Sequence, residues 1–261
     1  MTLLNLMMML VVLAISGCAT QPASSGFKPD VSTTDEESNQ QMRARVHTEL
    51  ASGYYELGNI GVALEEINIA MRSDPNYGPA HNVAALIYTQ LKDERLAQQS
   101  FERALSINPL DSDANNNYGL FLCERKREEE AIKHFLAALR NPLYQNRERS
   151  YVNAGVCSRR RGDLAGAADY FQSALKLRPN QPQALYQMAD IEYLRGNFAE
   201  SKSYLGRFTQ VATATSEVLW LGVRVAKRLG DRDSEASYTL QLRKNFPNSN
   251  EARALEAGRY K

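Results

Sequence analysis

The chain has 261 residues, with 31 lysines and arginines against 30 aspartates and glutamates, a formal net charge of +1. That balance excludes a strongly polycationic protein, so bulk charge gives no reason to expect nucleic acid as a partner.

Residues 6–15, LMMMLVVLAI, form an unbroken apolar run. It falls short of the roughly 20 residues that a membrane-spanning helix needs, and has the length of a secretory signal core. The run closes on Ile15, Ser16, Gly17 and Cys18, which resembles the lipobox of bacterial lipoproteins, where the cysteine becomes the acylated first residue. Met1 to Asn5 carry no Lys or Arg, a departure from the usual charged start. The expectation is a signal peptide over 1–17 and lipidation at Cys18. Ala19 resembles the pattern for sorting to the outer membrane, so the protein is expected to be anchored on the periplasmic face of that membrane rather than to span it.

Residues 18–42 are rich in Ser, Thr, Pro, Gln and acids, with Phe27 and Val31 as the sizeable apolar side chains after Cys18 and Ala19. Such a stretch cannot bury enough surface to fold alone and reads as a flexible tether, with a reach of roughly 25 Å by the square-root rule.

Beyond it a spacing recurs. Ala63, Ala97 and Ala131 stand 34 residues apart, as do Phe101 and Phe135, and Pro75 and Pro109. A 34-residue period belongs to the tetratricopeptide repeat, a pair of antiparallel helices that stacks on its neighbours. With Pro75 at repeat position 32, the units fall at 44–77, 78–111, 112–145, 148–181, 182–215 and 216–249, leaving 250–261 as a capping helix or tail. Asn146 and Arg147 are assigned to the loop after the third unit, because Ala131 to Ala167 is two residues too long. The fifth and sixth units depart from the pattern. Ser201 and Glu235 stand where Ala is expected, and Thr239 and Leu242 replace the aromatic and small pair. The predicted fold is all-α, a right-handed superhelical solenoid of about six repeats.

Steric demands explain these positions. Small residues at positions 8, 20 and 27 let paired helices approach, and large ones at 4, 7, 11 and 24 fill the space between them. Proline near position 32 stops the second helix, and glycine at 15 supplies the backbone angles of a tight turn. His47 and His81 share position 4 and are expected as packing residues. Trp220 is expected either in the groove or beneath the C-terminal helix, near Ala252 to Gly258, as a cap.

No HExxH, paired CxxC, P-loop or GxSxG motif is present. The acids Glu128 to Glu130 suit the start of a helix. Neither catalysis nor a metal, cofactor or small-molecule substrate is expected. Cys123 and Cys157 fall at repeat positions 12 and 10, about 160° apart around a helix at 100° per residue. On that angle they are expected to be two small buried or half-buried thiols rather than a bridge.

In this architecture positions 2, 5, 9, 12 and 13 of each first helix line the concave face. They supply the candidate protein-binding residues Tyr55, Asn82, Leu86, Asn116, Leu120, Val152, Arg159 and Arg160. An Asn at position 5 holds the backbone of an extended peptide in peptide-binding repeat proteins, which Asn82 and Asn116 resemble. The groove reads as apolar to neutral in its first half and basic towards its end, through Arg149, Arg159, Arg160, Arg224, Lys227 and Arg228. An acidic or carboxylate-bearing peptide suits that gradient.

The run Asn115 to Cys123, the stretch Asn141-Pro142-Leu143-Tyr144, and Asn153-Ala154-Gly155-Val156-Cys157 resemble the type IV pilus biogenesis and stability lipoproteins, the PilF or PilW pilotins. The resemblance covers nearly the whole chain. It implies a non-catalytic scaffold that helps the secretin, the outer-membrane channel of the pilus, to localise and assemble into multimers. The alternative reading is an outer-membrane lipoprotein adaptor that recruits cell-wall enzymes or other envelope complexes.

Overall fold

The computed structural model describes residues 38–260, which form one unit of thirteen helices. Cys18 and the expected signal peptide lie outside the described residues. Twelve helices pair in order: α1 (Asn39–Glu56) with α2 (Ile60–Ser73), α3 (Gly78–Gln90) with α4 (Glu94–Ile107), and α5 (Ser112–Glu124) with α6 (Glu128–Ala138). Then follow α7 (Arg147–Arg160) with α8 (Leu164–Leu177), α9 (Pro182–Leu194) with α10 (Phe198–Val211), and α11 (Ser216–Leu229) with α12 (Arg232–Asn245). A short α13 (Asn250–Glu256) closes the chain. The fold is all-α and built of tetratricopeptide repeats, as the period requires.

Helix boundaries follow local chemistry. Pro75, Pro109, Pro179 and Pro247 each stand two residues beyond a second helix, where a residue without a backbone donor cannot continue the ladder. Two boundaries differ from the sequence reading. The first helix begins at Asn39, inside the stretch read as tether, because Ser38 and Gln41 form a reciprocal capping box. That signal was present in a polar stretch, where composition outweighed it. Arg147 is the first residue of α7 rather than a loop residue, and Asn146 is its N-cap.

Each first helix contacts its own second helix most heavily, and each second helix contacts the next first helix. First helices also touch across units, α1 to α3, α3 to α5, α5 to α7 and α9 to α11, whereas no second helix has a comparable contact with the next second helix. The first helices therefore form the inner layer of the stack. Close approach within a pair is set by small residues. A Cβ on Gly119 would lie 2.6 Å from the Phe135 ring, and one on Gly155 2.7 Å from Phe171. The aromatic side chain occupies the volume that glycine leaves.

The irregular units solve the same packing differently. Ser201 is fully buried, but its hydroxyl donates to the Ala189 carbonyl at 2.7 Å, so no polar group is left unpaired. In the sixth unit Tyr238, one residue before the expected aromatic position, faces Gly222, where a Cβ would meet its ring at 2.9 Å. Leu242 is fully buried. Position 4 is not uniformly core, which corrects the reading of the histidines. His81 is partly exposed, its Nε2 2.9 Å from the Pro75 carbonyl, and Asn115 makes the matching bond to Pro109 at 3.0 Å. His47 pairs with Glu66 at 2.5 Å.

Cys123 and Cys157 form a disulfide, with Cα atoms 5.9 Å apart. The expectation of free thiols is overturned. Residues on opposite azimuths point apart on one helix, but on two neighbouring helices in the same orientation they face each other. α5 and α7 are such neighbours, so the 160° separation favours the bridge. Trp220 is buried with Ala252 and Leu255 and stacks on Tyr260 at 5.6 Å, so it belongs to the C-terminal cap.

Candidate protein-binding surfaces

Repeat positions 3, 7 and 10 of a first helix face the preceding unit. In units two to six they are buried: Ala80, Ala84 and Ile87; Ala114, Tyr118 and Phe121; Ser150, Ala154 and Cys157; Ala184, Met188 and Ile191; Val218, Gly222 and Val225. In unit one the same positions hold Val46, Leu50 and Gly53, all exposed. Val46 is 42% exposed, Leu50 43% and Leu57, one turn further on, 75%. Among the described residues nothing precedes α1, so a face that buries core elsewhere in the stack is open here. Val46, Glu49, Leu50, Gly53, Tyr54 and Leu57 line a shallow groove along it. Sequence reasoning placed Leu50 in the core. The clue it lacked was positional, since a first repeat has no predecessor to cover its outer face.

The residues expected in the concave groove are placed variously. Tyr55 is half-buried, and burial first and the Glu124 carboxylate second push its hydroxyl pKa up, so units one and three approach each other there. Leu86 is half-buried against the core of units two to four, and Leu120 is exposed. Asn82 and Asn116 are buried in a shared network: Asn117 donates to Asn82 at 3.2 Å, and Ser150 and Asn153 both donate to Asn116 Oδ1, at 2.9 and 3.0 Å. These amides hold neighbouring first helices together, which corrects their reading as free peptide-holding groups. Val152, 1% exposed, belongs to the core of units four to six and does not line a groove, because the stacked fifth unit covers it. Arg159 binds Gln187 and Asp190, and the exposed Arg160 lies beside the disulfide, 4.0 Å from Cys123 Sγ.

Nothing in these surfaces is arranged for chemistry. His134 illustrates this: burial holds its pKa below the usual value, and its Nδ1 lies 2.9 Å from Asn115 Oδ1 in the shoulder of the core, stacked near Tyr118. No helix among the described residues is long and apolar enough to cross a membrane.

Tetratricopeptide-repeat family models match residues 78–109, 100–133 and 159–218. The type IV pilus assembly protein PilF of Pseudomonas aeruginosa is 31% identical over 257 residues, covering 98% of this chain and 99% of that protein. The chain belongs to the PilF family. A solved structure from a functional characterisation of Pseudomonas aeruginosa PilF superposes with a TM-score of 0.80 at 33% identity, covering 84% of this chain and 99% of that one. The structure of PilW, described as a widely conserved type IV pilus biogenesis factor, gives 0.73 at 34% identity, covering 81% and 97%. This PilF-family chain is thus a repeat scaffold whose candidate sites are surfaces for other proteins.

Proposed function

We propose that the chain is a non-catalytic scaffold for type IV pilus biogenesis, lipidated at Cys18, held on the periplasmic face of the outer membrane, and binding a secretin subunit through the α1 face. Membership of the PilF family supports the pilus role. The observation that carries the docking site is the contrast at repeat positions 3, 7 and 10, buried in five units and open in the first. An apolar segment of the secretin would occupy the place of a preceding second helix. Apolar anchors in such a groove dominate binding energy, whereas rim charges contribute little. The lipid fixes location and the tether gives reach, so bound subunits are concentrated at the membrane and multimers form faster.

Leu50→Asp tests this. The variant is expected to keep its helicity and melting temperature while losing at least about 2 kcal/mol of secretin affinity, roughly thirty-fold, and leaving secretin as monomers. Full secretin assembly in that variant overturns the docking site, and normal multimers in a strain without the protein overturn the function. Recovery of a cell-wall hydrolase instead of secretin from envelope extracts favours the adaptor reading. Cys18→Ser is expected to release the protein from the membrane and misplace the secretin.

A further inference from the structure

The inner layer of units four to six carries a charge arrangement that the α1 face does not use. Asp190 of α9 is 8% exposed and sits between two arginines. Its Oδ2 meets Arg159 of α7, and its Oδ1 lies 3.6 Å from Arg224 of α11. Two guanidinium groups therefore share one carboxylate. Both are largely withdrawn from water, with side chains 28% and 16% exposed. Arg224 lies over the Tyr193 ring at 4.7 Å and near the Trp220 ring at 5.9 Å, and its Nε is buried without a hydrogen-bond partner.

The other acid near this seam does not balance the surplus. Glu217 is held below the usual carboxylate range chiefly by hydrogen bonding to Thr215 at the start of its own helix. Exposed Arg149 and Arg160 add positive charge on the α7 side, and Lys227 lies over the Tyr260 ring on the α11 side. Tyr186 is half-buried in the same seam, where burial first and Asp190 second raise its pKa. One guanidinium charge thus stays uncompensated in a half-buried, aromatic-walled setting, where an incoming anion is screened less than at an open surface.

We infer that this seam binds an acidic segment of a protein partner, one carboxylate of which enters between Arg159 and Arg224 opposite Asp190. A carboxylate matches the planar guanidinium fork and carries the single charge that the surplus requires. A phosphate carries about −1.5 to −2 and overshoots it. Asp190 then acts as an internal competitor that holds the arginines in place and sets the affinity. The seam lies three units along the stack from α1, so it is a second contact, separate from the apolar one.

Trp220 is the only tryptophan in the chain and reports on the seam directly. An acetylated hexaglutamate peptide is titrated into the purified protein at roughly 0.15 M salt, where long-range attraction is screened beyond about 8 Å. Saturable Trp220 fluorescence change is expected, absent with hexaglutamine. Arg159→Gln is expected to weaken binding roughly ten-fold, and Asp190→Asn to tighten it several-fold by freeing both arginines. Opposite signs separate recognition from damage to the fold, since a loosened seam would weaken both. No response from the wild-type protein, or weaker binding by a natively helical Asp190→Asn variant, overturns the inference. So does equal competition by inorganic phosphate or by anionic phosphatidylglycerol vesicles.

Discussion

The two ends of the repeat stack present the same geometric problem and solve it in opposite ways. A terminal repeat exposes a face that its interior counterparts bury. At the C-terminal end the chain covers that face itself: α13 brings Ala252 and Leu255 onto Trp220, Leu219 and Val223, and Tyr260 stacks on the indole. At the N-terminal end Val46, Leu50 and Leu57 stay exposed. The contrast teaches that open apolar surface in this fold is not forced by the repeat. Seven helical residues suffice to close an end, so an open end is available for a partner.

The largest expected effect comes from breaking the closed end. Trp220→Ala removes the centre of the cap and should cost about 3–5 kcal/mol in denaturant unfolding. A loss under 1 kcal/mol would mean that the two ends are alike. Next comes the joint between the ends. The disulfide closes a loop of 34 residues between units three and four, and Cys157→Ser should cost roughly 3–4 kcal/mol by chain entropy. Because repeat stability is a sum over neighbours, the variant is expected to show separate melting of the two halves, and a single unchanged transition would refute that.

Smaller effects sharpen the picture. Lys92 and Lys126 take φ values of 61° and 60° at the turn where Gly58, Gly162, Gly196 and Gly230 stand in the other units. Lys126→Gly relieves a left-handed backbone and should stabilise by up to about 1 kcal/mol, less what glycine costs through the unfolded chain. The smallest stability effect belongs to the open end, where Leu57→Gln should change unfolding free energy by no more than about 0.5 kcal/mol. A substantial loss there would show that the face is already covered in the free protein.

Acidification gives a further check on the interior. Burial lowers the pKa of His134 in the folded state. Its contribution is therefore present above the unfolded value of about 6.5 and is lost as pH falls through the lower folded value. His134→Gln should flatten the pH dependence of stability across that window.

Much of the architecture was legible in the chain alone. The 34-residue recurrence of Ala63, Ala97 and Ala131 places the second helices, because only small residues admit a partner helix at those positions, and the prolines place their ends. The irregular last unit was harder, since Tyr238 does the work of an aromatic one residue out of frame. The candidate site was legible only in part. Tyr55, Leu120, Arg159 and Arg160 were singled out by position, but whether a side chain at a given position is free depends on what lies across from it. Asn116 is spent on Ser150 and Asn153, Arg159 on Asp190, and Val152 on the fifth unit.

Periodicity and the small, aromatic and proline positions, properties of each helix and its partner 16 to 34 residues away, determined the repeat fold by sequence alone. Only tertiary structure decided the pairing of Cys123 with Cys157, the sharing of Asp190 between two arginines, and the exposure of Leu50. Each of those depends on which face of one helix meets which face of another, and a repeat frame specifies position along a helix without specifying what stands opposite.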